Sequence, residues 1–243
     1  MRPAERGNKP ALRRRFYKAA GTAEQDGSLH AVTLDGRVAK TPGRAPLAVP
    51  SRALAEAIAA EWDAQRDEID PMTMQLTRIA NTAIDGVAVR MTDVRAEIVA
   101  YAGSDLLSYR ATDPRALIAR QSAAWDPLLR WADETLGARL LSGYGIMPVL
   151  QPQASLEAIA RAVEGLAPLQ LAATHVMMTL TGSAVIALAI LHGRIDVEAA
   201  WSAAHVDEDW EISQWGEDAE AARRRAGRRL EMEAAARTLA LLG

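Results

Sequence analysis

Cysteine is absent from the 243 residues, which excludes disulfide staples, thiol catalysis and cysteine-ligated metal, and fits a reducing compartment. Histidine is scarce. His30, His175, His192 and His205 are scattered, and no two stand in the His-Glu-x-x-His spacing of a zinc hydrolase. There is no Gly-x-Ser-x-Gly nucleophile elbow. Gly143-Tyr144-Gly145 lacks the third glycine of a dinucleotide loop. Phe16 is the only phenylalanine, a feature of genomic composition together with the abundant alanine and arginine. An excess of positive charge is also missing: the net charge of −3 exerts no global pull on nucleic acid. The basic clusters Arg13–Arg15 and Arg223–Arg225 with Arg228 and Arg229 have no interleaved aromatics for base stacking. The second cluster follows an acidic run between Asp207 and Glu220, so ion pairing is its plainer use.

One long uncharged run exists. Leu171–Leu191, "LAATHVMMTLTGSAVIALAIL", holds no Asp, Glu, Lys or Arg and approaches the ~20 residues needed to span a bilayer. His175, four hydroxyl residues and the Thr181-Gly182-Ser183 break argue instead for two abutting core helices, apolar on nearly every side. No stable membrane insertion is expected. Residues 1–18 lack the continuous apolar core of a signal peptide and carry seven Lys/Arg against Glu5. They read as a flexible basic arm over residues 1–14, leading into a first strand near 15–19.

The hydrophobic fraction of 49% and the charged fraction of 24% are those of a globular chain large enough to bury a real core. Its first 50 residues have a period of two. "LDGRVAKTPG" superficially resembles a phosphate loop, but Ala39 precedes Lys40 where a glycine is required. Asp35-Gly36 between "HAVTL" and "RVAKT" is instead the two-residue turn of a hairpin. After Pro50 the period lengthens. Ser51 caps a helix stacking Leu54, Ile58 and Trp62, and Pro71 closes that unit. A second helix is expected near 74–84 and a third, capped by Thr92 or Asp93, to about Leu107. Another starts at Asp113-Pro114 and carries Leu117, Gln121, Trp125, Leu128 and Ala132. A short strand near 139–142 precedes a Gly/Pro-rich loop. Helices resume at 155–166, through the apolar pair, from Asp196, and over 218–242. The fold class is α+β: a small β-rich N-terminal domain (15–50) followed by a larger all-helical domain (51–243).

Candidate chemistry is sparse. Asp105 and Glu97 are indistinguishable from helix caps. His205-Val206-Asp207-Glu208-Asp209 lacks the glycine turn and distal glutamate of a hard-ion loop, so no metal and no cofactor is expected. Two tryptophan-bearing stretches stand out, "AEWDAQRDEID" around Trp62 and "DEDWEISQWGED" with Trp210 and Trp215. Tryptophan beside acids and amides suits an ordinary core edge, and equally a recognition surface.

In order along the chain, "RRFYKAA", "TLDGRVAKTP", "VPSRALAEAIAAEWDAQRDEIDPMTMQLTRIANTAID", "DLLSYRA", "QSAAWDPLLRWA" and "EDWEISQWGED" resemble the assembly chaperones that hold the alpha subunit of the catalytic sector of F-type ATP synthase. The resemblance runs from about Arg15 to the C-terminus. Its most specific part is Glu61-Trp62-Asp63-Ala64-Gln65 with "LTRIANTAID". The chain departs from the family after Trp215-Gly216, where many relatives have Val-Glu-x-x-His and this sequence has "EDAEAARRR". No role of that histidine carries over.

The resemblance implies binding without catalysis. It also implies a monomer that shields the free alpha subunit from aggregation and yields it to the beta subunit. Glu208 and Glu211 with Trp215 are the expected partner-binding residues, the resemblance placing a glutamate important to the family somewhere in this region. Trp62 and Gln65 are expected to join the two domains, and Asp35 and Gly36 to shape the scaffold hairpin. The lack of a long presequence favours a bacterial cytoplasmic protein, with the mitochondrial matrix as the alternative. A small-molecule enzyme with a site in the interdomain cleft is the rival reading.

Overall fold

The period-two segment folds around one hairpin. The computed structural model describes residues 12–25, 27–145 and 147–243, so most of the expected basic arm lies outside the described residues. Strands β1 (Arg13–Arg14), β2 (Ala20–Gln25), β3 (Leu29–Leu34), β4 (Arg37–Val38) and β5 (Ala48–Val49) open the chain. β3 is central. It pairs antiparallel with β2 from Ala20↔Leu34 to Gln25↔Leu29, and on its other side with β4 and then β5. Asp35 and Gly36 have φ of 49° and 77°, the positive pair that a tight β3–β4 turn demands and that glycine adopts freely. The Asp35 carboxylate accepts from the backbone N–H of Lys18 and Ala19 at 2.9 Å each. Those bonds hold its pKa below the usual aspartate value.

The first strand is displaced from 15–19: β1 ends at Arg14 and β2 begins at Ala20. Between them the Arg15 guanidinium donates to the carbonyls of Tyr17 (3.1 Å), Lys18 (2.8 Å) and Asp63 (3.1 Å).

Helix α1 (Arg52–Ala64) starts as expected, the Ser51 hydroxyl accepting from the Leu54 N–H at 3.3 Å. Its buried residues Leu54, Ala55, Ile58 and Ala59 press on β2 and β3. β6 (Glu68–Ile69) then returns to pair with β1, so strand pairing reaches past Pro50.

Seven elements build the middle of the helical region: α2 (Gln75–Asp85), α3 (Met91–Ala102), β7 (Tyr109–Arg110), α4 (Arg115–Trp131), β8 (Gly143–Tyr144), α5 (Gln153–Glu164) and α6 (Pro168–Thr181). α7 (Ala184–Leu191), α8 (Val197–Ala204), α9 (Val206–Trp215) and α10 (Ala219–Leu242) complete it.

Several boundaries differ from expectation. Thr92 and Asp93 lie inside the first turn of α3, and Arg90 at its N-cap makes no side-chain bond. α3 stops at Ala102, before Gly103 and a new turn capped by Asp105. Pro114, in extended conformation, occupies the N-cap of α4, and Asp113 does not cap it. The strand expected near 139–142 forms instead at β8, parallel to β7.

The long uncharged run is a broken pair. Gly182 ends α6 at φ 69°, and the Ser183 hydroxyl accepts from the Ile186 N–H at 3.0 Å to start α7. Ala184–Ala189 are fully buried, as an all-round apolar helix requires. Thr174 and Thr181 donate to the carbonyls of Gln170 and Met177 at 2.8 Å, which satisfies their hydroxyls inside the core. Among the described residues, no helix is long and apolar enough to cross a membrane.

Asp105 holds this junction. Its two carboxylate oxygens accept from the Leu107 N–H at 3.0 Å and the Val185 N–H at 3.1 Å. Complete burial pushes its carboxyl up to about 6 despite those bonds. It is a helix cap. Glu97 lies on α3, 2.8 Å from the Nε2 of His175.

Candidate functional site

The Glu61–Gln65 block is a joint between α1 and α2. Glu61 accepts from the backbone N–H of Leu76 and Thr77 at 2.8 Å each and from the Thr77 hydroxyl at 2.7 Å. It thereby caps a helix that starts with no side-chain cap of its own. Burial raises the Glu61 pKa against these bonds. Gln65 donates to the Glu61 carbonyl and Thr73 Oγ1 at 3.1 Å each, and accepts from the Asp70 N–H at 2.8 Å. Both donors and the carbonyl oxygen of its amide thus fix the turn after α1.

Trp62 packs edge-on to Tyr17, with ring centroids 5.7 Å apart, and the Tyr17 hydroxyl donates to the Trp62 carbonyl at 2.6 Å. The four residues expected to be structural therefore sit at two turns of the N-terminal unit. Asp35 and Gly36 shape the hairpin, and Trp62 and Gln65 the α1–α2 corner.

The partner-binding candidates are all on α9, but they face differently. Glu208 is half-buried, its Oε2 3.7 Å from His205 Nε2 and 4.0 Å from Arg225 Nε. His205 stacks on Trp201 at 3.9 Å, and its Nδ1 N–H donates to the Trp201 carbonyl at 2.8 Å. Burial first of all pushes its imidazole pKa down. Asp209 pairs with Arg225, and Asp207 accepts from Gln121 Nε2 at 2.7 Å. Most of the acidic run is thus held internally, as expected for the arginine cluster of α10.

Glu211 points outward and makes no ion pair among the described residues. Trp215, one helical turn further along, is 88% exposed. The structure therefore brings Glu211 and Trp215 together on one open face and turns Glu208 toward α10.

A second exposed feature is the loop that carries β8. Leu141, Tyr144, Met147 (73% exposed) and Leu150 (89% exposed) project from it. Gln121 ties the two regions together: its Oε1 accepts from the N–H of Ala111, the residue after β7, at 2.9 Å, while its Nε2 reaches Asp207 on α9. Large exposed apolar side chains so close together in sequence suit a surface that meets another protein. In the sequence this loop reads only as Gly/Pro punctuation. The available signal is its density of Leu, Tyr, Met and Val between those breakers.

The profile of the ATP12 chaperone protein family matches residues 14–133. The crystal structure of Atp12 from Paracoccus denitrificans superimposes with a TM-score of 0.88 at 41% identity, over 95% of this chain and 99% of that one. The chain belongs to the ATP12 chaperone family. The Atu1473 protein of Agrobacterium tumefaciens is similar at 45% identity and a TM-score of 0.92, over 96% of this chain and 87% of its own. Protein atp12, mitochondrial, of Schizosaccharomyces pombe is 27% identical over 84% of this chain and 74% of its own.

Membership makes this an ATP synthase assembly chaperone, in a family that is not enzymatic. The surface of this ATP12-family chain fits that work. Its exposed features include an apolar loop and an indole beside a carboxylate, a combination suited to holding a protein face.

Proposed function

We propose that the chain binds the free alpha subunit of the F-type ATP synthase catalytic sector, prevents its aggregation, and yields it to the beta subunit. The reading rests on family membership, and the observation that carries it is the exposure of Leu141, Tyr144, Met147 and Leu150 in the loop that carries β8. An unassembled subunit presents apolar surface that its neighbour will later bury, and such surface aggregates when left in water. Leu141, Tyr144, Met147 and Leu150 cover that surface, while Glu211 and Trp215 fix the orientation of the bound subunit. Hand-over requires only that the beta subunit hold the shared face more tightly.

The protein acts as a monomer in the bacterial cytoplasm, or in the mitochondrial matrix if it is organellar. The direct test is light scattering of refolding alpha subunit at increasing chaperone concentration. Suppression that saturates near one chaperone per subunit supports the reading. Undiminished aggregation contradicts it.

A further inference from the structure

The N-terminal unit carries a groove of about 890 Å³ beside the Glu61–Gln65 corner, with no α9 residue in its lining. One wall is the β3–β4 hairpin, with Val38 partly exposed. The other is the β1 end of the chain, where Phe16 is 57% exposed and Leu12 also faces water. Trp62, Ile69 and Pro71 complete its apolar lining.

The rim is cationic. Arg13, Arg37 and Lys40 line it, and none makes a salt bridge among the described residues. The one rim carboxylate, Asp35, is already bonded to the Lys18 and Ala19 N–H groups. β4 ends its sheet, with β3 as its only strand neighbour among the described residues. An open strand edge is a template for extended chain.

We infer that this groove binds an extended polypeptide segment of another protein, with apolar residues at its centre and Asp or Glu on its flanks. Apolar side chains lie against Phe16, Val38 and Trp62, the flanking carboxylates meet Arg13, Arg37 and Lys40, and the backbone runs along β4. Residues 1–11 of this chain are poorly matched to that role: Arg2, Arg6 and Lys9 outweigh Glu5, and no aromatic or branched aliphatic side chain is present. A like-charged occupant would be repelled by the rim.

The groove and the α9 surface are separate, and the inference does not depend on the identity of the subunit held there. No ATP synthase subunit enters the test. Two pooled sets of fluorescein-labelled nonapeptides are titrated with the full chain and followed by anisotropy. Both sets have Leu, Val or Phe at the central positions; one has Asp and Glu on the flanks, the other Lys.

The acid-flanked set is expected to bind, and to weaken as added salt screens the exposed rim. Arg37→Glu combined with Lys40→Glu should cost at least about tenfold in Kd and shift preference toward the Lys set. Phe16→Ala should weaken both. These side chains are exposed, so each variant should keep the parent melting temperature, and circular dichroism checks this. Equal affinity for the two sets, absence of binding below about 1 mM, or indifference of the folded double variant to the charge change would overturn the inference.

Discussion

Gln121 and Asp207 are 86 residues apart in sequence, and their side chains meet at 2.7 Å. The other end of the Gln121 amide accepts from Ala111 N–H at 2.9 Å. One buried side chain therefore fixes both α9 and the residue that follows β7. Gln121→Leu leaves a carboxylate and a backbone N–H without their partner, at a cost of about 1–3 kcal/mol each where water cannot replace it. The expected result is a lower urea midpoint at unchanged m-value, together with faster amide exchange in both α9 and β7. Exchange altered in only one of them would refute the coupling.

Glu208 and Glu211 should behave differently. Glu211→Lys changes an open position, so its stability should stay within about 0.5 kcal/mol of the parent while capture of the alpha subunit weakens. Glu208→Lys places a cation against Arg225 and His205 and should lower the melting temperature as well. Equal melting of the two variants would contradict the orientation of α9.

Trp62→Arg removes the indole packed on Tyr17 and adds a charge beside the cationic groove. Trp62 is half-buried, so the loss should be smaller than for a core aromatic, about 1–3 kcal/mol, and should appear as a clearly lowered melting temperature. A normal thermal transition would show that the α1–α2 corner tolerates the loss.

Asp105 sets a pH dependence with a definite sign. Its carboxyl titrates at about 6 in the fold, against an ordinary aspartate value of 3.8. Between those values the native state binds the proton that the unfolded chain has released. The contribution of this group is therefore most favourable below about pH 4 and declines as pH rises through about 6. Asp105→Asn abolishes that decline. Urea midpoints at several pH values between 4 and 7 should fall less steeply for the variant than for the parent. Parallel curves would remove Asp105 as their cause.

What could be read from sequence was what local chemistry decides. The Asp35-Gly36 turn, the Ser51 cap and the Gly182 break each depend on residues within a few positions, and each appears where the pattern put it. The first strand failed because β1 finds its partner in β6, beyond α1 in the sequence. The parallel β7–β8 pair depends on a similarly distant meeting. At the candidate site, the sequence singled out α9 but not its orientation, because Arg225 of α10 decides which glutamate turns inward. The apolar loop was missed because its glycines and prolines mark a turn equally well whether the intervening side chains are buried or exposed.

The loop allows the proposed client surface to be tested apart from the scaffold. Met147→Asp with Leu150→Asp alters side chains that are mostly in water, so folding should be unaffected. Protection of the alpha subunit from aggregation should nevertheless be lost. Full protection by the folded double variant would place the client elsewhere.

Size-exclusion chromatography of the purified chain mixed with isolated alpha subunit, before and after addition of beta subunit, is the most direct test of the central claim. A complex with alpha that disappears as alpha–beta species form, releasing free chaperone, is the predicted result. Failure of the two proteins to co-elute, or a complex that beta cannot dissolve, would contradict it.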